Sequence, residues 1–364
     1  MPKKKRVILS LVGARPQFIK IASLAGVLSR IVHHIIVHSG QHYDPTMSDI
    51  FFDQLKIPKA NHNLLVGSGS HAEMTGKIMV RLERQLIKSR PDMILVYGDT
   101  NSALAGALTA AKLRIPVGHI EAGLRSYNLD MPEEINRLLT DHISTLLFCP
   151  TVQSIKNLQR EGIINRVVHS GDLMYELIAS YEKEIAANKN ILAQLSLKKR
   201  NYILFTLHRA GNVDDKETLE KSVDIVRRLS IPVIFPVHPR TMKNLKKFKL
   251  NKNLDKSPHI KLIKPLSYLD NLALIKNAYA VITDSGGMQK EAVFLGTPCL
   301  TLREETEWTE TLGWGNKLVG LSYSRVIKTL NNLIRQKKHI SCKIANRKPS
   351  EIISSAILDF FGDS

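Results

Sequence analysis

Short, nearly continuous apolar runs recur along this chain and alternate with stretches of helical spacing. In the first part they fall at Val7–Val12, Ile35–His38, Met93–Tyr97, Val117–Ile120, Leu146–Cys149 and Val167–His169. They return at Tyr202–Thr206, Val233–Val237, Ile260–Ile263, Ala280–Thr283 and Cys299–Leu302. Strands that are apolar throughout and separated by helices belong to parallel sheets covered on both faces. Two such sets predict an α/β protein of two doubly wound, Rossmann-like domains, with ligands at the carboxyl ends of the strands. The break is expected near Gly171, where the first set ends and a long polar helix through Lys183 to Lys199 is predicted. The chain then divides into 1–171 and 172–348, with a last helical segment, 349–364, spaced by Ile352, Ile353, Ile357 and Phe360.

Composition alters this picture little. A length of 364 residues is long for one core, and 43% apolar content with ordinary Gly and Pro usage marks a globular chain. Cys149, Cys299 and Cys342 are widely spaced and odd in number, which fits buried thiols in a reducing compartment, the cytoplasm. No apolar run approaches the ~20 residues that span a bilayer, so no membrane partner is expected. Lys3, Lys4, Lys5 and Arg6 imitate the start of a signal peptide or a nuclear localisation signal. The apolar part that follows is short, however, and Arg15-Pro16 occupy the cleavage position. The net charge of +19 raises nucleic acid as a partner. Its densest part, Arg240 to Lys264, has nine Lys/Arg against Asp255 but only Phe248 as an aromatic, so no stacking platform is evident. The charge reads as a solvated face that also attracts anionic substrates, and no nucleic-acid partner is expected.

Candidate chemistry is concentrated where strands end. Thr283 to Ala292, TDSGGMQKEA, joins a strand to a helix through an Asp-Ser-Gly-Gly turn. Glycines allow close backbone approach, and the free N–H groups and dipole of a helix N-terminus favour phosphate, so Ser285, Gly286 and Gly287 form a candidate anion site. Glu291 lies further along that helix. At the other end of the chain, GARPQFIK places Arg15 and Lys20 around a second strand–helix turn, with Pro16 at its helix start. Asp99 follows one strand in YGDTNS and Glu121 follows the next in HIEAGLRS, so both carboxylates face one crevice. Glu133, in MPEEINR, stands four residues before Arg137, where an i,i+4 ion pair is available. The loose dinucleotide pattern Gly67-Ser-Gly69-Ser-His-Ala72 lies outside the first strand–helix turn and reads as a loop entering a helix. With no His/Cys cluster either, no nicotinamide, metal or other cofactor is expected.

Taken in order, GARPQFIK, GQHYD, YGDTNS, HIEAGLRS, MPEEINR, LHRAGN and TDSGGMQKEA resemble the UDP-N-acetylglucosamine 2-epimerase family along most of the chain. The resemblance implies a glycosyltransferase-B-like pair of domains with the ligand cleft between them, the last helix crossing back onto the first domain, and a homodimer. It implies a UDP-sugar substrate and epimerisation at C2 by loss and re-addition of UDP through a glycal, for surface polysaccharide precursors. Asp99, Glu121, Glu133 and His208 match catalytic positions of the family; Arg15, Lys20, Arg137, Ser285, Gly286, Gly287 and Glu291 match its substrate-binding positions. Two departures stand out. Trp308 occupies a place where many members have Arg, leaving stacking as its route to the nucleotide, and Lys290 stands where an acid is common. Both, with REETEW, look closer to the branch acting on UDP-2,3-diacetamido-2,3-dideoxyglucuronate. Gln41 and His42 match the family's allosteric loop, but Ser70-His71 replace a usual basic partner, which argues against activation by substrate. A hydrolysing relative releasing free ManNAc and UDP remains an alternative, and a nucleic-acid-binding protein a more distant one.

Overall fold

The computed structural model describes residues 5–41, 51–188, 190–335 and 347–362. His42 and Cys342 lie outside them. The chain forms two compact units: one runs to Ala179 and takes in the C-terminal helix, the other begins at Ser180.

The first unit is built on a seven-stranded sheet, in sequence β1 (Val7–Val12), β2 (His33–His38), β3 (His62–Asn63), β4 (Met93–Tyr97), β5 (Val117–Ile120), β6 (Leu146–Cys149) and β7 (Val167–His169). All neighbours are parallel, in the order β3-β2-β1-β4-β5-β6-β7. The order reverses between β1 and β4, registered Ile8 to Met93 and Leu11 to Val96. Helices cover the sheet, several of them with starts that the sequence fixes locally. Ser70, Thr100 and Thr151 accept from backbone N–H groups of the turns they cap, and Pro16 and Pro132 sit at helix starts where no donor is lost. Leu9, Leu11, Ile94 and Val96 pack fully buried against Ile78 and Leu82 of the helix His71–Ser89. Each such side chain contributes about 1.5–3 kcal/mol by leaving water.

The second unit repeats the plan with β8 (Ile203–Thr206), β9 (Val233–Pro236), β10 (Ile260–Ile263), β11 (Ala280–Thr283), β12 (Cys299–Thr301) and β13 (Asn316–Leu318), parallel in the order β10-β9-β8-β11-β12-β13. Its reversal falls between β8 and β11, and its core includes Phe205 and Phe235, whose rings meet edge-on at 4.5 Å.

The expected long helix through Lys183 to Lys199 is two short ones, Glu182–Ala187 and Asn190–Gln194. Asn188 leaves helical geometry and donates its side-chain amide to Asp270 at 2.8 Å. Ser196 and Arg200 then adopt left-handed φ values of 57° and turn the chain into β8. β3 and β13 escape an apolar-run reading because they are two and three residues long and carry His, Asn and Lys. The C-terminal helix Pro349–Phe360 buries Ile353 and Ile357, while Phe360 stays 41% exposed. Its Ser350 donates through N–H and hydroxyl to Glu176, at 2.8 and 2.6 Å.

Candidate active site

In the first unit three turns meet at the strand-order reversal. Gln17 ties two of them together. Its side-chain oxygen accepts from the N–H groups of Gly13 and Ala14, and its amide donates to the Tyr97 carbonyl and Thr100 hydroxyl, both at 2.9 Å. One turn of helix further on, buried Lys20 forms an ion pair with Glu121, whose side chain is 10% exposed. Glu121 holds φ at 74°, which is costly for a residue with a Cβ and aims its carboxylate at the ammonium. Gly98, at φ 64°, completes the fit: a Cβ there would stand 3.1 Å from Lys20 Nζ and 3.2 Å from Glu121 Oε2. Arg15 sits at the same helix start, its guanidinium 4.8 Å above the Phe51 ring.

Asp99 follows directly. Burial among its neighbours raises its pKa above the usual carboxylate range, although solvent still reaches 32% of the side chain. Arg137 and Lys20 oppose the rise, while Glu121 and Glu133 add to it. Arg137 is 1% exposed, and one guanidinium nitrogen lies 3.6 Å from Asp99 Oδ2. It also pairs with Glu134 at 3.4 Å and donates to the Glu133 backbone carbonyl at 3.2 Å. Glu134 is anchored inward by the N–H groups of Ser126 and Tyr127 and the Ser126 hydroxyl. Glu133 is left half-buried beside Asp99. An i,i+3 pair to Glu134 thus accompanies the position from which Glu133 was expected to pair.

Behind these groups lies a buried network on which the motifs gave no warning. His119, inside β5, bonds through Nε2 to the Gly98 carbonyl at 2.9 Å and through Nδ1 to Asp141 at 2.7 Å. Asp141 also accepts from the Gly123 N–H and from Arg125, which reaches Glu161 with its remaining donors at 2.7 Å. Burial alone would raise the Asp141 pKa, but His119 and Arg125 outweigh it and hold the carboxyl below its ordinary range. The signal was present: a His in the middle of an apolar strand must be satisfied somewhere.

The second unit uses the same reversal for a different purpose. Ser285 caps the helix Gly286–Phe294, and Gly286 and Gly287 form its first turn. Asp284, fully buried and not singled out from sequence, accepts from the N–H groups of His208 and Arg209 and from the Asn212 amide. It thereby fixes the loop after β8. The His208 ring is 41% exposed, 3.6 Å from Asp284 and 5.8 Å from the His238 ring. Glu291 is 6% exposed on the same helix. Glu307, also missed, sits against the helix start: a Cβ on Gly286 would lie 2.6 Å from its Oε1. Arg303 and Arg209 approach Glu307 at 2.9 and 4.0 Å. The Trp308 ring, for which stacking was the expected route to a nucleotide, carries the Lys290 ammonium 3.6 Å from its centroid.

Among the described residues no three His, Cys, Asp or Glu side chains group so as to hold a metal ion, and no helix is long and apolar enough to cross a membrane. Gln41 accepts from the Ser102 hydroxyl at 2.9 Å, and His71 bonds to the Asn101 side chain.

Carboxylates paired with buried cations at one strand-order reversal, and a glycine-lined helix start at another, are the equipment of an enzyme acting on a nucleotide-linked sugar. Residues 28–349 match the family model described as UDP-N-acetylglucosamine 2-epimerase, and the chain belongs to that family. It is accordingly a UDP-sugar 2-epimerase, an isomerase, of glycosyltransferase-B-like α/β fold. A Methanococcus maripaludis protein called a UDP-N-acetylglucosamine 2-epimerase homolog is 49% identical, covering 89% of this chain and 91% of its own. The UDP-2,3-diacetamido-2,3-dideoxy-D-glucuronate 2-epimerase of Pseudomonas aeruginosa is 43% identical, covering 88% and 90%. The crystal structure of Methanocaldococcus jannaschii UDP-GlcNAc 2-epimerase in complex with UDP-GlcNAc and UDP superposes with a TM-score of 0.90 at 42% identity, covering 97% and 99%.

Proposed function

We propose that the protein interconverts UDP-GlcNAc and UDP-ManNAc without net hydrolysis, supplying precursors for a surface polysaccharide. The observation that carries this reading is the cluster of Asp99, Glu121 and Glu133 with Lys20 and Arg137 at the ends of β4 and β5. The C2 hydrogen of the sugar is not acidic, since no carbonyl adjoins it. C1, however, bears a diphosphate, which departs with the C1–O electron pair once its charge is neutralised. A carboxylate takes the C2 proton, the C–H electrons form the C1=C2 bond of a glycal, and UDP leaves. Return of the proton to the opposite face and of UDP to C1 gives the epimer, so no electrons are gained or lost overall. Asp99, Glu121 and Glu133 carry the proton, and Arg15, Lys20 and Arg137 hold charge in place. Ser285, Gly286 and Gly287 bind the diphosphate, His208 assists its departure, and Glu291 takes the ribose hydroxyls.

The 43% identity to the Pseudomonas aeruginosa enzyme supports a second substrate, the 2,3-diacetamido uronate analogue. Exposed Val80 and Ile87 on the helix His71–Ser89, with Ile135 and Leu139 on Pro132–Ile143, support a homodimer through these faces. Cys149 and Cys299, free thiols pushed up to about 12 by burial, support a cytoplasmic setting.

Proton NMR of UDP-GlcNAc incubated with the protein in D₂O tests the reading. Deuterium at C2 of UDP-ManNAc is expected. Retained hydrogen at C2 would falsify elimination, free ManNAc with UDP would identify a hydrolase, and no turnover would direct the assay to the uronate.

A further inference from the structure

The two departures from the family's usual residues, Lys290 and Trp308, turn out to touch each other. Lys290 is 2% exposed in the first half of the helix Gly286–Phe294, and Trp308 is 6% exposed on the loop that follows β12. The loop is pinned to the helix and to itself. The Thr306 hydroxyl donates to Gln289 Oε1 at 2.8 Å and accepts from the Trp308 N–H at 3.1 Å, and the Trp308 carbonyl accepts from the Thr311 hydroxyl at 2.6 Å. With its backbone held at both N–H and carbonyl and its ring face covered by an ammonium, the indole has one orientation. Its polar edge faces the helix start. Nε1 lies 3.6 Å from where a Cβ on Gly286 would stand, against the first residue of the helix that begins the anion site. Among the described residues the indole N–H has no acceptor. The ring is buried while its N–H edge is not enclosed, so the donor stays available to a ligand that arrives at this helix start.

We propose that the Trp308 indole N–H donates to a phosphate oxygen of the bound nucleotide, beside the free N–H groups of Gly286 and Gly287. The Lys290 ammonium does two things here. It fixes the ring, and by drawing density toward the π face it makes the N–H a stronger donor. Trp308 thus binds through its edge rather than by stacking. Glu307 at the same helix start does not cancel the attraction, because Arg303 and Arg209 lie beside it. The proposal rests on the reading that Ser285–Gly287 hold the diphosphate.

The chain has two tryptophans, Trp308 and Trp314, so ¹⁵N-tryptophan labelling gives two indole signals that a W314F variant assigns. On titration with UDP the Trp308 indole proton should move downfield; with uridine, which has no phosphate, it should not. W308F keeps a ring for Lys290 but loses the donor, and should bind UDP about tenfold or more weakly by calorimetry with uridine binding and thermal midpoint unchanged. K290M, which keeps the donor but removes the charge, should bind UDP about fivefold more weakly. If UDP binds the wild type while the indole stays still and W308F binds equally well, Trp308 is no ligand donor and the anion site stands without it. If UDP does not bind the wild type, the anion site and the proposal fall together. A loss confined to W308F removes the polarising role from Lys290.

Discussion

The two units share a strand order and place their functional turns at equivalent points, yet fill them with opposite chemistry. Where β1, β4 and β5 end, the first unit gathers Asp99, Glu121 and Glu133 with Lys20 and Arg137, charge meeting charge. Where β8 and β11 end, the second unit exposes backbone N–H groups and keeps its main carboxylate, Asp284, buried as a scaffold for the His208 loop. The doubly wound fold fixes where a site can be, because the crevice opens where the strand order reverses. The residues just past each strand then decide what the site does. Side chains that move protons need crowded, opposed charges to set their pKa values, whereas phosphate binding needs only donors and room.

The largest effects should separate these roles. D99N, E121Q and E133Q should each lower turnover by about 10²–10⁴-fold, the usual worth of a positioned acid or base, while calorimetric UDP affinity stays near wild type. An amide variant that loses UDP binding in proportion to turnover would move that residue out of proton transfer and into nucleotide binding.

How far this contrast was legible in the sequence depends on the kind of residue. Strand ends announce themselves, because apolar runs stop abruptly at Asp99, Glu121 and the Asp-Ser-Gly-Gly turn. Partner choice does not. That Arg137 pairs with Glu134 depends on N–H groups of the Ser126–Tyr127 loop, which anchor Glu134 and which only folding brings near. His119 and Asp141 are 22 positions apart and meet because β5 and the helix Pro132–Ile143 pack together. Lys290 and Trp308 read as two unrelated departures from a pattern, and their contact became visible only in three dimensions.

Next in size are the scaffolds. D141N leaves the His119 and Arg125 donors facing an uncharged amide in a fully buried setting and should cost about 3–5 kcal/mol. D284N retains one oxygen for the His208 and Arg209 N–H groups and should cost about 1–3 kcal/mol. Both tryptophans belong to the second unit, so their fluorescence reports that unit while far-ultraviolet circular dichroism reports both. Under urea, D141N should bring forward part of the dichroism transition with fluorescence unmoved, and D284N should advance the fluorescence. Coincident shifts in either variant would mean that the units unfold as one. The wild-type Asp141 carboxyl titrates below its ordinary range, so its stabilisation is complete above that range and is lost as pH falls through its native value.

The smallest effect runs the other way and bears on why the first unit tolerates such crowding. Asp99 has a raised pKa, so the native state holds its proton more tightly than the unfolded chain does. Ionising it therefore costs stability: the cost begins as pH rises through the ordinary carboxylate range and is complete above the native pKa. D99N removes that cost. Its melting temperature should match wild type in acid and exceed it at neutral pH by a modest ~1–3 °C, since the side chain is partly solvated and screening weakens the effect. On the proposed elimination, in which Asp99 must be ionised to take the C2 proton, the same raised pKa should place the acid limb of the wild-type kcat/KM profile above the ordinary carboxylate range. A variant that is nearly inactive yet slightly more stable, with the gain building between the ordinary carboxylate range and the native pKa and level above it, would show that Asp99 is held at an energetic disadvantage that catalysis uses. A D99N protein less stable than wild type at neutral pH would mean instead that its pairing with Arg137 outweighs the crowding, and that the first unit's carboxylates hold the turn together much as Asp284 does in the second.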